Sequence, residues 1–446
     1  MDNRTIAAIS TPQGVGGIAV IRISGEKAIE IADSVFKGKI RLCNAQSHSV
    51  HYGKIIKDDK VIDEVLVTVM RAPKTFTRED VVEISTHGGY VASRLVLGAL
   101  FAAGAVPAQA GEFTKRAFMN GRIDLVQAEA VIDIINAKTD LAQKNALSQA
   151  GGHLSKRIEE IREKLVSLAA AMQVSIDYPD EDLEDMTLEE ISDILKEVFV
   201  KLNGLSDTAT RGRLLKNGIK TVIIGRPNVG KSSLLNYLAM EERAIVTDIA
   251  GTTRDVIEES VDLDGVPLRL LDTAGIRATD DVVEKIGVER SLRYIDEAEL
   301  VLLVLDAREG ITDDDRDLLG RTEDSNRIVL INKTDDSDGF DMEGAIKISA
   351  LTGLGIPELS ARIKEMYKLG SIGEAEVTIT NERQLSAILR AKEAVRRAID
   401  VISNGLAQDF AALDVNEAID ALGEIDGRTV SEDIVAGIFS SFCVGK

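Results

Sequence analysis

Thr221-Val222-Ile223-Ile224-Gly225-Arg226-Pro227-Asn228-Val229-Gly230-Lys231-Ser232-Ser233-Leu234-Leu235-Asn236 is the stretch on which the reading of this chain turns. Its middle fits the phosphate-binding pattern G-x-x-x-x-G-K-[ST]. An apolar, β-branched run precedes it and a helix-like run follows, the strand–turn–helix context that gives the pattern meaning. The glycines let the backbone wrap closely round a phosphate chain. Loop amides and a helix N-terminus then face negative oxygens. Asn228, Val229, Gly230, Lys231, Ser232 and Ser233 are the candidate nucleotide contacts. Lys231 would reach the β- and γ-phosphates and Ser232 a Mg²⁺ ion.

Three later segments select the base. Leu270-Leu271-Asp272-Thr273-Ala274-Gly275 is an apolar strand ending in Asp-x-x-Gly. Asp272 can hold Mg²⁺ through water, and the Gly275 amide can sense a γ-phosphate. Asn332-Lys333-Thr334-Asp335 follows a second apolar run, Ile328 to Ile331. The Asp335 carboxylate can accept from two guanine donors that adenine lacks, and such paired contacts discriminate strongly. Ser349-Ala350, after Ile346-Lys347-Ile348, would offer a loop amide to the guanine oxygen. In this order the segments point to GTP rather than ATP.

Composition bounds the remainder. A chain of 446 residues predicts two or three domains, and 44% hydrophobic residues can fill their cores. Cys43 and Cys443 lie far apart, which suggests a reducing compartment and no disulfide scaffold. Cys43 reads as structural. No charged-then-apolar leader opens the chain, and no apolar run approaches the roughly 18 residues of a membrane helix. The expectation is a cytoplasmic protein with no membrane partner. A net charge of −21 argues against indiscriminate nucleic-acid binding. Residues 1–124 carry a balance of +3 and the remainder −24. Any RNA contact would favour the N-terminal part, but +3 is weak, and on charge alone an ordinary mixed surface is the favoured reading.

Periodicity gives a multidomain α+β and α/β chain. Residues 1–120 mix short strands (Ile18 to Ile23, Val61 to Met70, Val81 to Ser85) with a helix over Val91 to Ala103. Residues 121–215 read as helical, with Leu154, Ile158, Ile161 and Leu165 at three- and four-residue spacing. An acidic break holding Pro179 spans Asp177 to Asp185. Residues 216–375 alternate strands and helices, as in a Ras-like P-loop domain. Residues 376–446 are helical again. The simplest assembly is a GTPase domain inserted into a helical domain.

The switch segments are unusual. Position 276 is Ile, where many GTPases place a water-orienting glutamine, so catalytic help must come from elsewhere. Gly251-Thr252-Thr253-Arg254-Asp255 is the expected first switch, with a threonine hydroxyl available to Mg²⁺. Glu284, near Asp280, Asp281 and Lys285, reads by spacing as a solvated helix-face acid.

Together four motifs resemble the bacterial tRNA-modification GTPases of the MnmE (TrmE) family. They are Gly-Arg-Pro-Asn-x-Gly-Lys-Ser, Thr247-Asp248-Ile249-Ala250-Gly251-Thr252-Thr253-Arg254-Asp255, Asp272-Thr273-Ala274-Gly275-Ile276-Arg277, and Phe442-Cys443-Val444-Gly445-Lys446. The start Thr11 to Gly17, the strand end Ile21-Arg22-Ile23-Ser24-Gly25 and the turn His87-Gly88-Gly89 match as well. The resemblance covers the whole chain.

The resemblance implies a homodimer that works with a flavin-dependent partner of the MnmG (GidA) type, in a heterotetramer, on the wobble uridine of certain tRNAs. An aminomethyl or carboxymethylaminomethyl group is installed at carbon 5, its carbon drawn from a reduced folate (5-formyl- or 5,10-methylene-tetrahydrofolate). By motif, Arg22, Glu83, Arg122 and Lys446 would contact that folate in the N-terminal domain, which also dimerises. The family often has lysine at the position of Arg122; the charge is kept, but the geometry differs. By spacing alone, Arg22 and Glu83 would be a surface ion pair. The resemblance also implies a K⁺ ion held by Asn228, Thr247, Ile249 and Thr252, with Ser232 and Thr253 on Mg²⁺. Oxygen ligands suit a hard cation, and its charge offsets that of the transition state. Glu284 would orient the attacking water, and Arg254 and Asp255 fall in the catalytic loop. Cys443 is either a functional thiol beside Lys446 or a small packing residue. A regulatory switch or ribosome-assembly factor without folate chemistry is the alternative, because the GTPase motifs serve both.

Overall fold

The computed structural model describes residues 4–12, 14–177, 186–240, 259–271, 294–337, 339–369 and 378–446. The acidic break after Asp177 lies outside the described residues. The chain forms two compact units, Met1–Ile132 with Leu422–Lys446, and Asp133–Ala421.

The first unit is built on a seven-stranded sheet of order β3-β4-β5-β6-β2-β1-β7. The strands are β1 Ile6–Ile9, β2 Ile18–Ser24, β3 Phe36–Gly38, β4 Ser49–Lys57, β5 Lys60–Met70, β6 Val81–His87 and β7 Val106–Pro107. All neighbours are antiparallel except β1 and β7, which run parallel. Alternation decides the faces, since successive strand residues point to opposite sides. Ile21, Ile23, Val65, Val67, Val69, Val82 and Ile84 are buried with Ile29, Ile31, Val96 and Leu100 of helices Ala28–Val35 and Tyr90–Ala102. The intervening residues, Arg22 and Glu83 among them, fall on the opposite face.

Residues 422–446, helical by periodicity, group with this sheet. Phe439 and Phe442 of the last segment are buried with Leu125 and Ala128, and Phe118 packs against them. Their ring centroids lie 6.3 Å (Phe118–Phe439) and 5.4 Å (Phe439–Phe442) apart, within the range of favourable aromatic pairing. Beyond helix Glu432–Ser440 the chain leaves helical form, and Val444 makes an antiparallel bridge to Ala110.

The second unit holds a six-stranded sheet of order β13-β12-β11-β8-β10-β9. Its strands are β8 Ile219–Ile224, β9 Glu259–Leu263, β10 Val266–Leu270, β11 Leu300–Asp306, β12 Arg327–Asn332 and β13 Ile346–Lys347. Among the described residues, the β9–β10 pair alone is antiparallel. Every residue of β11 is buried. A continuous apolar run of that kind belongs to a parallel sheet covered on both faces. Leu302 and Val304 enter one core and Val301, Leu303 and Leu305 the other. Helices Lys231–Met240, Asp313–Arg321 and Ile356–Met366 follow β8, β11 and β13.

Long helices complete this unit, including His153–Asp177, Leu188–Asp207 and Glu382–Ser403. Thr187 starts the second with a reciprocal cap, its hydroxyl accepting from Glu190 N while the Glu190 carboxylate accepts from Thr187 N. The chain returns to the helices through Thr378-Ile379-Thr380. Gln149, 2% exposed, donates from Nε2 to Thr378 O (2.8 Å) and Thr380 Oγ1 (3.1 Å). Ile379 N donates to Thr208 Oγ1 at 3.1 Å. Among the described residues, no helix is long and apolar enough to cross a membrane.

Gln149→Ala leaves a buried carbonyl without its donor, which costs about 1–3 kcal/mol. The expected outcome is a lowered thermal midpoint in a melting scan; an unchanged midpoint would show that this crossing segment needs no such anchor.

Candidate functional sites

Strand β8 delivers the phosphate loop and helix Lys231–Met240 receives it. Lys231 is 9% exposed, and its ammonium lies inside the loop, donating to Gly225 O (3.0 Å) and Arg226 O (2.6 Å). Gly230 has φ +99°, and a Cβ there would stand 2.2 Å from Asn332 Nδ2. Both backbone and space therefore require glycine. Ser232 and Ser233 are exposed at the start of the helix.

Asn332 ends β12 and is 2% exposed. Its Nδ2 donates to Val229 O at 2.9 Å, and its Oδ1 accepts from Ala350 N at 2.9 Å. One side chain thus joins the phosphate loop to the Ser349-Ala350 loop. In this arrangement the Ala350 amide is engaged by Asn332. Ser349 is fully buried, its Oγ accepting from Thr352 N at 3.2 Å. Lys333 donates from Nζ to Asn228 O (2.5 Å) and Asp306 Oδ2 (2.6 Å). Asn228 and Lys333 both hold positive φ, 64° and 69°. Asp335 is exposed beside this junction.

Asp306 is a residue that sequence reasoning missed. It is 2% exposed at the end of β11. Burial opposes its charge, but hydrogen bonds from Arg308 and Lys333 hold the carboxyl well below the usual range. The available signal was a carboxylate closing an otherwise apolar strand. Strand β10 runs parallel to β8, and Leu271 N donates to Thr221 O at 2.9 Å. Thr247, Asp248, Ile249, Ala250, Gly251, Thr252, Thr253, Arg254, Asp255, Asp272, Thr273, Ala274, Gly275, Ile276 and Glu284 lie outside the described residues.

The first unit gathers a second constellation. Arg22 on β2 stands directly opposite Glu83 on β6. Arg22 Nε and Nη2 each approach Glu83 Oε1 at 2.8 Å. The guanidinium carbon lies 5.6 Å from the Phe113 ring centroid. Arg22 Nη1 donates to Gly445 O at 3.4 Å, and Ser10 Oγ donates to the same oxygen at 3.0 Å. Gly445 has φ +97°, and a Cβ there would meet Ile9 O at 2.4 Å. Phe113 N donates to Lys446 O at 3.1 Å, and Gly111 N to Cys443 O at 3.4 Å.

Arg122 donates from Nη1 to Phe76 O at 3.0 Å and lies 4.8 Å from that ring's centroid. Phe76 packs on the cluster holding Phe113, Ile6 and Ala8. Two guanidiniums, a carboxylate and the last residues therefore converge on a small aromatic floor, which sequence spacing could not reveal. Cys443 is exposed. Cys43, read as structural, is exposed as well; its Sγ donates to Asp33 Oδ2 at 3.5 Å. Burial and then the Asp33 charge raise that thiol's pKa. A cleft of about 1150 Å³ elsewhere in this unit is lined by Arg4, Arg78 and Lys115, with Arg116 bound to Glu79 and Glu112. Among the described residues, none of the sequence-predicted site residues lines it.

Residues 125–443 match the family profile described as MnmE helical domain, and residues 5–122 that of the GTP-binding protein TrmE N-terminus. The tRNA modification GTPase MnmE of Geobacillus thermodenitrificans (strain NG80-2) is 49% identical over 458 residues, covering 99% of each chain. That of Geobacillus kaustophilus (strain HTA426) is 50% identical over 458 residues with the same coverage. That of Lactococcus lactis subsp. lactis (strain IL1403) is 50% identical over 448 residues, 99% of this chain and 98% of the relative.

Gly230→Ala pushes a methyl group into Asn332 Nδ2 and displaces the phosphate loop. Affinity for a fluorescent GTP analogue is expected to fall at least tenfold, about 1.4 kcal/mol. Binding within twofold of the unaltered chain would mean that this contact yields without consequence.

Proposed function

The chain belongs to the family of the tRNA modification GTPase MnmE, and on that premise we propose that it hydrolyses GTP in the modification of tRNA wobble uridine. The observation that carries the GTPase half is the Asn332 bridge, which fixes a guanine-type loop against a phosphate loop. Asp335 selects guanine by accepting from its two N–H donors. Lys231 exchanges the carbonyl acceptors Gly225 O and Arg226 O for phosphate oxygens, a charge-assisted and stronger contact. Ser232 and Thr253 would hold Mg²⁺, with Asp272 as a further candidate acid near the metal.

Glu284 orients the attacking water in place of the glutamine that Ile276 replaces. Asn228, Thr247, Ile249 and Thr252 would hold K⁺. Exposed Asn228, at the crest of the loop, fits a donor set of that kind. When bound, the cation would supply positive charge that offsets the negative charge of the transition state. Arg254 and Asp255 complete the catalytic loop.

The first unit supplies the one-carbon chemistry. Arg22, Glu83, Arg122 and Lys446 hold a reduced folate, 5-formyl- or 5,10-methylene-tetrahydrofolate, which supplies the carbon. The residues fit such a ligand: Glu83 can accept from ring N–H donors, and Arg22 and Arg122 can pair with carboxylates. Phe113 and Phe76 provide an apolar floor. Residues 1–120 form the folate-binding and dimerisation domain, and residues 216–375 the GTPase domain set between helical parts 121–215 and 376–446. A homodimer brings two GTPase domains together. It acts with a flavin-dependent partner of the MnmG type on tRNA. Cys443 is a candidate thiol for the transfer.

Two measurements test this. Calorimetric titration with 5-formyl-tetrahydrofolate is expected to give saturable binding that Arg22→Ala removes. No binding at millimolar ligand would overturn the folate assignment and leave a GTPase switch. GTP turnover is expected to rise with K⁺ over Na⁺, and Glu284→Ala to remove most of it while nucleotide affinity persists. Intact K⁺-stimulated turnover in that variant would reject Glu284 as the water-orienting group.

A further inference from the structure

The second residue of the phosphate loop makes contacts that the loop pattern does not demand. Arg226 is only 15% exposed in its side chain, and its partner Asp315 is fully buried. Arg226 Nε donates to Asp315 Oδ1 at 2.8 Å, and Nη1 donates to Glu309 Oε2 at 3.0 Å. Its Nη2 is buried with no acceptor among the described residues.

Asp315 is itself committed. It is the third residue of helix Asp313–Arg321, and its Oδ2 accepts from Thr312 N (3.0 Å) and Thr312 Oγ1 (2.8 Å). The carboxylate is therefore fixed at a helix N-terminus, where negative charge is favoured. The arginine is held at its far end by a rigid element and at its near end by the phosphate loop. Its own carbonyl is one of the oxygens that hold Lys231. The loop's other anchors reach Val229 O from Asn332 and Asn228 O from Lys333, both from β12 and its end. Arg226 supplies an anchor from the side of β11.

We propose that Arg226 is a positioning residue for the nucleotide reaction: through Asp315 it fixes the loop carbonyls between which Lys231 is poised. The inference rests on the GTPase reading of this site. Lysine cannot reproduce it, because only a planar fork reaches Asp315 and Glu309 together. The arrangement is charge-dependent, because a buried carboxylate that loses its cation is strongly destabilised.

The test measures GTP and GDP affinity, kcat and KM for the full chain and for Arg226→Gln, Arg226→Lys, Asp315→Asn and the double variant Arg226→Gln/Asp315→Asn. Each single variant is expected to lose at least tenfold in kcat/KM. The double neutral pair is expected to recover part of that loss, since neither partner is left charged and alone. A merely structural arginine would lower the melting temperature while leaving kcat/KM of the folded fraction within twofold, and that result would overturn the proposal. If Arg226→Gln does not fold, Asp315→Asn, outside the loop, decides alone: unchanged kcat/KM overturns the proposal. Failure of the unaltered chain to bind GTP would bring down the GTPase reading itself, whereas intact binding with unaffected variants overturns this inference alone.

Discussion

The side-chain amide of Asn332 donates to Val229 O and accepts from Ala350 N, and most of the nucleotide site is arranged around that pair of bonds. Asn332 sits where β12 ends, so the sheet fixes its position before any ligand arrives. Gly230 has no side chain because the amide occupies that space. Lys333, next in sequence, repeats the device one residue earlier on the loop and is anchored by Asp306. Aspartate in place of Asn332 would keep an acceptor for Ala350 and lose the donor for Val229. A buried carboxylate would then face the Val229 carbonyl oxygen, an acceptor against an acceptor.

The first unit solves a different problem with similar economy. An arginine on a sheet face would ordinarily form an exposed ion pair of little energetic value. Here the Arg22 guanidinium is bounded by Glu83, the Phe113 ring and the Gly445 carbonyl. Each neighbour removes some freedom, so the group is fixed before any anion reaches it. The same holds for Arg122, which is laid across Phe76 and bonded to its carbonyl. Preorganised cations of this kind bind an anionic ligand with less ordering cost.

The nucleotide half was legible because its pattern ties three elements together in one short stretch. The strand expected at Thr221 to Ile224 runs Ile219–Ile224, and the helix expected after the loop runs Lys231–Met240. In the N-terminal sheet the signal was weaker. Strand Ser49–Lys57 turns Ser49, His51, Gly53 and Ile55 inward and leaves Val50 and Tyr52 exposed, so its burial alternates without an apolar–polar pattern to announce it, and the strand was not anticipated. Arg22 and Glu83 are 61 residues apart, and only the β2–β6 register makes them partners. The docking of residues 443–446 on Ser10, Arg22, Gly111 and Phe113 was beyond any local pattern, because periodicity reports on neighbours in sequence.

That docking has a consequence for synthesis. Arg22 and Gly445 are separated by 423 positions, yet they share a hydrogen bond. A ribosome adding about 5–20 residues per second takes roughly 20 to 85 seconds to cover that interval. During that time the nascent N-terminal sheet exists without residues 430–446, and Phe118 and Leu125 lack the aromatic cover that Phe439 and Phe442 provide. The constellation around Arg22 therefore cannot be complete on a growing chain that carries only the first strands. Its completion waits for the synthesis of residues 430–446, a built-in delay between making the sheet and completing it.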